Sequence, residues 1–239
     1  MKVTYYLKET LSILLILSFA FVSSQKLEYL AIYDNHIGVD NVDLYNGKSY
    51  IPQILTVKNN HLFLNSNFDN GQILYKKQWY TTSLKYDIFN DIIIVQNPKQ
   101  EKNFSFSITS ELVDKFNFEN RNFEKLPKNK VLLPFYKNGF FENIFQSDLV
   151  TFYVKQTKRK VKSVKYNIVR YQFIKKEIYL LKVNKSFYKI HKKRDIIKAL
   201  PFLKKEIKSF FKDNKKVNTI SLVQFLRKMN HKNYANKTN

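Results

Sequence analysis

Short segments of alternating aromatic and polar residues most constrain the fold of this chain. The segment 104–108 (FSFSI) alternates in this way, and 116–126 (FNFENRNFEKL) repeats the pattern. A period of two places every second side chain on one face of an extended strand, so these segments predict half-buried strands. Similar segments occupy 72–87, 91–96, 140–145 and 149–157, and three more lie between 166 and 190. Their spacing predicts an antiparallel sheet, folded as a sandwich or a half-open barrel.

Glycine is scarce, and its placement predicts turns. The chain has only four glycines, and three of them follow asparagine, in the pairs Asn46-Gly47, Asn70-Gly71 and Asn138-Gly139. Asn-Gly adopts the positive φ angles that tight hairpin turns need. These three pairs therefore predict three turns between strands, and the Asn97-Pro98 step predicts the end of another strand.

The hydrophobic period becomes helical after Asp195. Apolar residues then recur at steps of three and four, at Ile196, Leu200, Leu203, Ile207 and Phe210. We expect a first helix capped by Asp195 and ending at Leu200, and a second with Pro201 in its first turn. Asn214 and Lys215 would end the second helix. A last helix is predicted from roughly Ser221 to Met229, with Asn218 or Thr219 as its cap.

These patterns predict an α+β fold. An antiparallel β-rich domain would span 25–192, and two or three C-terminal α-helices within 193–230 would pack on its sheet. Residues 231–239 are polar and predicted to form a flexible tail.

The first 24 residues have the order of a secretory signal. Lys2 and Lys8 precede the apolar run 11–22 (LSILLILSFAFV), and the small residues Ser23 and Ser24 follow it. This order predicts export and cleavage after Ser24. The alternative is a membrane anchor, but the apolar run has only 12 residues, whereas a spanning helix needs about 20.

Composition adds a constraint on stability and a marked charge asymmetry. With no cysteine, the chain cannot form disulfides, so its 16 Tyr and 21 Phe must supply the core. Segment 25–150 has 14 basic and 14 acidic residues, whereas 151–239 has 26 basic and 4 acidic residues. Such an asymmetry indicates that the C-terminal part faces something anionic, or that it prevents self-association.

No motif in the sequence predicts catalysis, a cofactor or a metal site. The glycines are at least nine residues apart, which excludes glycine-rich phosphate loops, and the four histidines show no metal-binding spacing. Asp87 and Asp91 flank one predicted turn, where carboxylates usually stabilise the turn or are solvated. Carboxylates brought together by the fold remain an alternative, since chain spacing does not fix their separation.

Two groups of basic residues are candidate contacts to an anionic surface. The first is expected in a hairpin loop and comprises Lys158, Arg159, Lys160 and Lys162. The second is expected as a stripe on one helix face and comprises Lys204, Lys208 and Lys212. Solvated loops and helix faces are the simpler interpretation of both groups. The functional interpretation is a docking surface for lipid, lipopolysaccharide, polysaccharide or an acidic protein.

Three parts of the chain resemble a group of uncharacterised exported proteins of the Bacteroidota. The first, 71–96, contains G-x-x-x-Y and, after a second aromatic strand, L-x-Y-D-x-x-x-D-x-I-x-V. The others are GFFENIF with LVTFYVKQTKRK, and the closing KKRDIIKALPFLKKEIKSFFKDNKK with SLVQFLRKMN. Together they cover most of the chain from about Leu44 onward. The resemblance implies a Gram-negative envelope protein, periplasmic or associated with the outer membrane, and it implies no active-site residues.

We therefore expect a non-enzymatic envelope protein that binds a protein partner or an anionic surface through its basic C-terminal part. Nucleic acid is not an expected partner, because the chain is predicted to be exported. One alternative is a hydrolase of envelope polymers with carboxylates assembled by the fold. Another is a structural subunit of an outer-membrane assembly that joins its partner through a sheet edge.

Overall fold

The computed structural model describes residues 43–51, 60–64, 67–96, 104–165, 168–212 and 216–235. Eleven strands within these residues form one sheet, in which neighbours are antiparallel. They are β1 (Lys48–Ser49), β2 (Asp69–Tyr75), β3 (Gln78–Asp87), β4 (Ile92–Gln96), β5 (Ser105–Ser107), β6 (Val113–Phe118), β7 (Arg121–Lys125), β8 (Phe140–Gln146), β9 (Val150–Lys165), β10 (Ile168–Val183) and β11 (Ser186–Ile190). Their order across the sheet is β1-β5-β4-β3-β2-β6-β7-β8-β9-β10-β11.

Three helices follow the strands, which confirms the predicted α+β class. They are α1 (Lys193–Ala199), α2 (Lys204–Phe210) and α3 (Thr219–Ala235), and a 3₁₀ turn at Pro201–Leu203 separates the first two. The last helix is longer than predicted, so 231–235 belong to it rather than to a tail. None of the described helices is both long enough and apolar enough to cross a membrane.

The three Asn-Gly pairs do not form the two-residue hairpin turns, although Gly139, just before β8, has the expected positive φ of 85°. Lys76 and Lys77 join β2 to β3 with φ angles of 48° and 68°, and Glu119 and Asn120 join β6 to β7 with 52° and 56°. Gly71 instead lies inside β2, where a Cβ atom would come within 2.3 Å of the Asn117 backbone oxygen. Close strand packing, rather than a turn, therefore requires glycine at this position.

The interval 166–190 holds two strands rather than the three predicted. The first two predicted segments merge into the 16-residue β10, because the charged residues between them continue the same pairing with β9. The predicted strand segments 140–145 and 149–157 are present in β8 and β9, which pair as an antiparallel hairpin.

The sheet curls around a first, aromatic core. Phe63 packs edge-on against Phe123, with ring centroids 5.6 Å apart, and Tyr86 lies 5.3 Å from the same ring. Leu62 forms a β-bridge with Asp87 of β3, and the Leu62 carbonyl also accepts a hydrogen bond from β9. Since β3 and β9 are five positions apart in the sheet, both can reach this segment only if the sheet bends round it.

The helices cover a second core at the other end of the sheet. Phe152 of β9 and Leu181 of β10 pack there with Ile207 of α2, Phe225 of α3 and Phe211, which directly follows α2. Asp195 is the third residue of α1 rather than its cap, and its carboxylate accepts hydrogen bonds from the backbone N–H groups of residues 191 and 192. Asn218 caps α3 as predicted by accepting a hydrogen bond from the Ser221 N–H.

Several predictions fall outside the described residues. They concern the signal at 1–24, the strand end at Asn97-Pro98, the helix end at Asn214 and Lys215, and the tail from 236 to 239.

Candidate anionic-surface interface

Strands β9 and β10 extend beyond the rest of the sheet as a two-stranded ribbon. Pairing with β8 reaches only to Val154 of β9, and pairing with β11 reaches only to Tyr179 of β10. From Lys155↔Ile178 to Lys165↔Ile168 the two strands pair with each other and with no other described strand. At about 3.4 Å per residue, these eleven pairs make a ribbon about 35 Å long.

The base of the ribbon is anchored to the body. Lys158 Nζ donates to the carbonyl oxygens of Asn60, at 2.8 Å, and Leu62, at 2.5 Å. The Phe173 ring packs against His61 and Phe89, with centroids 5.8 and 5.1 Å away. Burial and the charge of nearby Lys175 lower the pKa of Lys158. Of the predicted contact residues, Lys158 therefore acts as an internal anchor.

The basic run that includes Lys158 lies in a strand, so its predicted position in a hairpin loop is wrong. Alternation along β9 places Lys158, Lys160 and Lys162 on one face of the ribbon and Arg159 on the other. Lys160 Nζ lies 4.4 Å from the centroid of the Tyr171 ring, which is a cation–π distance. The run is thus divided between two faces and is partly held by aromatic contacts.

Exposed aliphatic residues occupy the distal end of the ribbon. Val164, Ile168 and Val169 are 62%, 52% and 43% exposed, and Val164 pairs directly with Val169. No residue of 161–164 or 168–172 is buried. Lys162, Lys165 and Arg170 lie in the distal stretch 161–172, and no acidic residue occurs between Asp148 and Glu177. The distal ribbon therefore combines a strongly positive charge with an apolar tip, a feature that charge counting alone did not reveal.

The basic helix stripe lies far from this tip. Lys204 and Lys208 are exposed on α2, whereas Lys212, also exposed, lies beyond the helix end at Phe210. The helices pack around the proximal part of β9, up to Val154. Ten residues of extended strand, about 34 Å, separate Val154 from Val164. The two predicted groups of basic residues thus form separate surfaces.

Asp87, the first of the two carboxylates considered for catalysis, stabilises a turn. It is completely buried and accepts hydrogen bonds from the backbone N–H groups of Phe89 and Asn90, each at 2.9 Å. His61 Nε2 lies 3.8 Å from the same carboxylate, and burial lowers the pKa of His61. The Tyr50 hydroxyl lies 2.5 Å from that ring nitrogen.

Asp91, the second carboxylate, is the centre of a buried polar network. It is also completely buried, and its Oδ1 lies 2.5 Å from both the Tyr86 hydroxyl and Lys155 Nζ. Its Oδ2 accepts the backbone N–H groups of Asn138, at 2.8 Å, and Gly139, at 3.0 Å. Burial lowers the pKa of Lys155 and raises that of Tyr86. The network ties the β3–β4 turn to the start of β8 and to β9.

A third buried carboxylate, Glu142, is likewise bonded within the protein. Arg121 donates to its Oε1 at 2.5 Å and Gln156 to its Oε2 at 2.7 Å. No group of three or more potential metal-ligating side chains occurs among the described residues.

Comparison with known proteins gives no relative for this chain. No protein family model, no curated protein and no solved structure matches it.

Proposed function

We propose that this chain is a non-enzymatic, exported protein of a Gram-negative envelope that binds an anionic lipid surface through the distal β9–β10 ribbon. The observation that carries the proposal is the ribbon itself, which presents basic side chains and an aliphatic tip and lacks acidic residues from 149 to 176. The predicted signal at 1–24 and the resemblance to exported Bacteroidota proteins support the compartment.

The arrangement of the ribbon suits the interface of a bilayer. Each lysine or arginine near an anionic lipid surface contributes about 1 kcal/mol of attraction. Apolar side chains at the tip add favourable burial when they enter the headgroup region. The outer edges of the ribbon carry backbone groups without partners in the described strands. Such groups are costly in hydrocarbon, so the tip should stop at the interface.

A structural subunit that pairs through a sheet edge remains a second candidate. The ribbon offers open edges at 155–165 and 168–178, which another strand could extend. Lysine-rich edges, however, are a common means of preventing such pairing. The charge of the ribbon therefore favours the lipid surface over a strand partner.

The hydrolase alternative gains no support from the carboxylates that the fold assembles. Asp87, Asp91 and Glu142 are all buried and hydrogen-bonded within the protein.

Vesicle co-sedimentation tests the proposal. The variant K160E/K162E/R170E reverses three ribbon charges, and K204E/K208E/K212E makes the same charge change on the helix stripe. With phosphatidylcholine vesicles that contain phosphatidylglycerol, we expect the ribbon variant to bind at least about a hundredfold more weakly than wild type, since three attractions are lost. The helix variant should bind within about threefold of wild type.

Two results would contradict the proposal. Equal weakening by both variants would show that net charge alone, and no particular surface, drives binding. A partner from native envelopes retained by both variants through a high-salt wash would assign the role to a packed protein interface.

A further inference from the structure

Residues of strands β3, β6, β7 and β8 line a groove that is separate from the ribbon. Trp79, Lys115, Asn117, Asn122, Glu124 and Asn143 are among the residues that line it. The groove has a volume of about 440 Å³, within the range of small-ligand sites. A β-bulge between Asn143 and Phe145 shapes its β8 side, and bulges are frequent next to binding sites.

Side-chain amides form a row across the groove. Asn117 pairs with Asn122, and Asn122 pairs with Asn143, so three amides lie on one face of three adjacent strands. Gln72 of β2 extends the row, with its side-chain oxygen 3.3 Å from Asn117 Nδ2. Neighbouring strands are about 4.8 Å apart, which is close to the length of one sugar unit in an extended oligosaccharide. The amide oxygens of Asn122 and Asn143 can accept from a hydroxyl group and Asn122 can also donate, whereas the Asn143 amide nitrogen already donates to Gln146 Oε1 at 3.1 Å.

An exposed tryptophan adjoins this row. Trp79 is the only tryptophan of the chain and is 52% exposed, although side chains of this type are usually well buried. The face of an indole ring is electron-rich, and the axial C–H bonds of a pyranose ring carry a slight positive charge. Stacking between the two surfaces therefore combines with hydrogen bonding to the neighbouring amides.

The charge of the groove selects for an uncharged ligand. Lys115 Nζ lies 3.8 Å from Glu124 Oε2, so the two formal charges cancel. This is notable in a chain whose net charge is +23. We propose that the groove formed by Trp79 and the Asn117–Asn122–Asn143 row binds a neutral oligosaccharide. The site does not depend on the function proposed for the ribbon.

Binding to an array of neutral and acidic glycans tests this proposal. Wild-type protein should retain neutral oligosaccharides, and Trp79→Ala should weaken that retention at least about tenfold, as is typical for loss of a central tryptophan. Asn122→Ala should weaken it several-fold. Phe104→Ala is the matched control, because Phe104 is 53% exposed but does not line the groove.

Trp79 fluorescence gives an independent measurement. Since no other tryptophan contributes, a retained glycan should change the emission of the wild-type protein in a saturable way. Thermal unfolding of Trp79→Ala should match wild type, which excludes misfolding as the cause of lost binding. K160E/K162E/R170E should retain neutral glycans fully, even if the ribbon proposal is wrong. Retention of acidic glycans only, no retention, or unchanged retention by Trp79→Ala would each overturn the proposal.

Discussion

At the residue scale, the buried pair Asp91–Lys155 is the most consequential feature. Both side chains are almost fully inaccessible, and the carboxylate also receives two backbone N–H groups. A buried charge costs several kcal/mol unless its partners are in place. The network therefore fixes the relative positions of the β3–β4 turn, β8 and β9.

Removing the charge of Asp91 should show how strongly the stability of the fold depends on the Asp91–Lys155 pair. We expect Asp91→Asn to lower the free energy of unfolding by about 3–5 kcal/mol, because the Lys155 ammonium would stay buried without its counter-ion. Urea denaturation measures the loss. Asp114→Asn removes the partner of an exposed lysine, Lys77, and should cost less than about 1 kcal/mol. Equal effects of the two substitutions would contradict this account.

The sequence could not predict this pair. Asp91 and Lys155 are far apart in the chain, and Lys155 is one of six basic residues in β9, so nothing in the sequence distinguishes it as the buried one or identifies its counter-ion. The role of Asp87 in its turn was easier to predict from the sequence, since it depends on the nearby backbone N–H groups of Phe89 and Asn90.

At the element scale, the ribbon shows that a strand rich in charged residues can be mistaken for a loop when only its sequence is considered. Its lysines favour a loop on composition, yet they alternate with valine and pair with isoleucine, tyrosine and phenylalanine on β10. Among the described strands, each strand of the distal part pairs only with the other. The distal part extends away from the body and, among its described residues, contributes no buried residue to the aromatic core or to the helix-covered core.

A shortened ribbon should therefore still fold. Val161 and Gln172 are paired, so replacing 162–171 with Asn-Gly closes the hairpin at that point. We expect the free energy of unfolding in urea to change by less than about 1 kcal/mol, because none of the side chains described at 162–164 and 168–171 is buried. Phe173→Ala, at the buried base, should cost about 3–5 kcal/mol. A large loss in the shortened chain would show that the distal ribbon supports the fold.

At the scale of the whole molecule, one sheet carries two large hydrophobic cores and a smaller third cluster around Phe141. The aromatic core lies in the curled part, and the helix-covered core lies on β8 to β11. Strand β8 contributes to both, since Phe140 belongs to the aromatic core and Ile144 and Phe145 pack against the helix-covered core. Loss of one core should consequently destabilise the other.

Unfolding should be a single transition. Trp79 fluorescence reports on β3, and far-ultraviolet circular dichroism near 222 nm reports mainly on the helices. We expect the two urea curves to coincide in wild type. Phe225→Ala, in the helix-covered core, should shift both curves by the same amount, about 3–5 kcal/mol. A shift of the helical signal alone would show that the two cores unfold separately.

The fold class followed from hydrophobic period, but the turn positions did not. Alternation predicted the sheet, and steps of three and four predicted the helices, because both patterns are properties of local backbone geometry. In the turns at Lys76-Lys77 and Glu119-Asn120, every residue except Asn120 is of a type that rarely adopts positive φ, so strand pairing on either side imposes these turns. The sequence predicted the basic residues of the candidate site. It did not predict the apolar tip or the distribution of the basic residues over two faces of the ribbon, because both depend on how β9 and β10 pair.

The unbroken register of β9 and β10 also limits how such a ribbon can change in length during evolution. Inserting one residue into each strand near the base would preserve pairing but turn Lys162 and Val164 to the opposite face. Inserting two residues into each strand would keep every side chain on its present face and lengthen the ribbon by about 7 Å. Homologous chains that keep the same surface chemistry should therefore differ in ribbon length by even numbers of residues per strand.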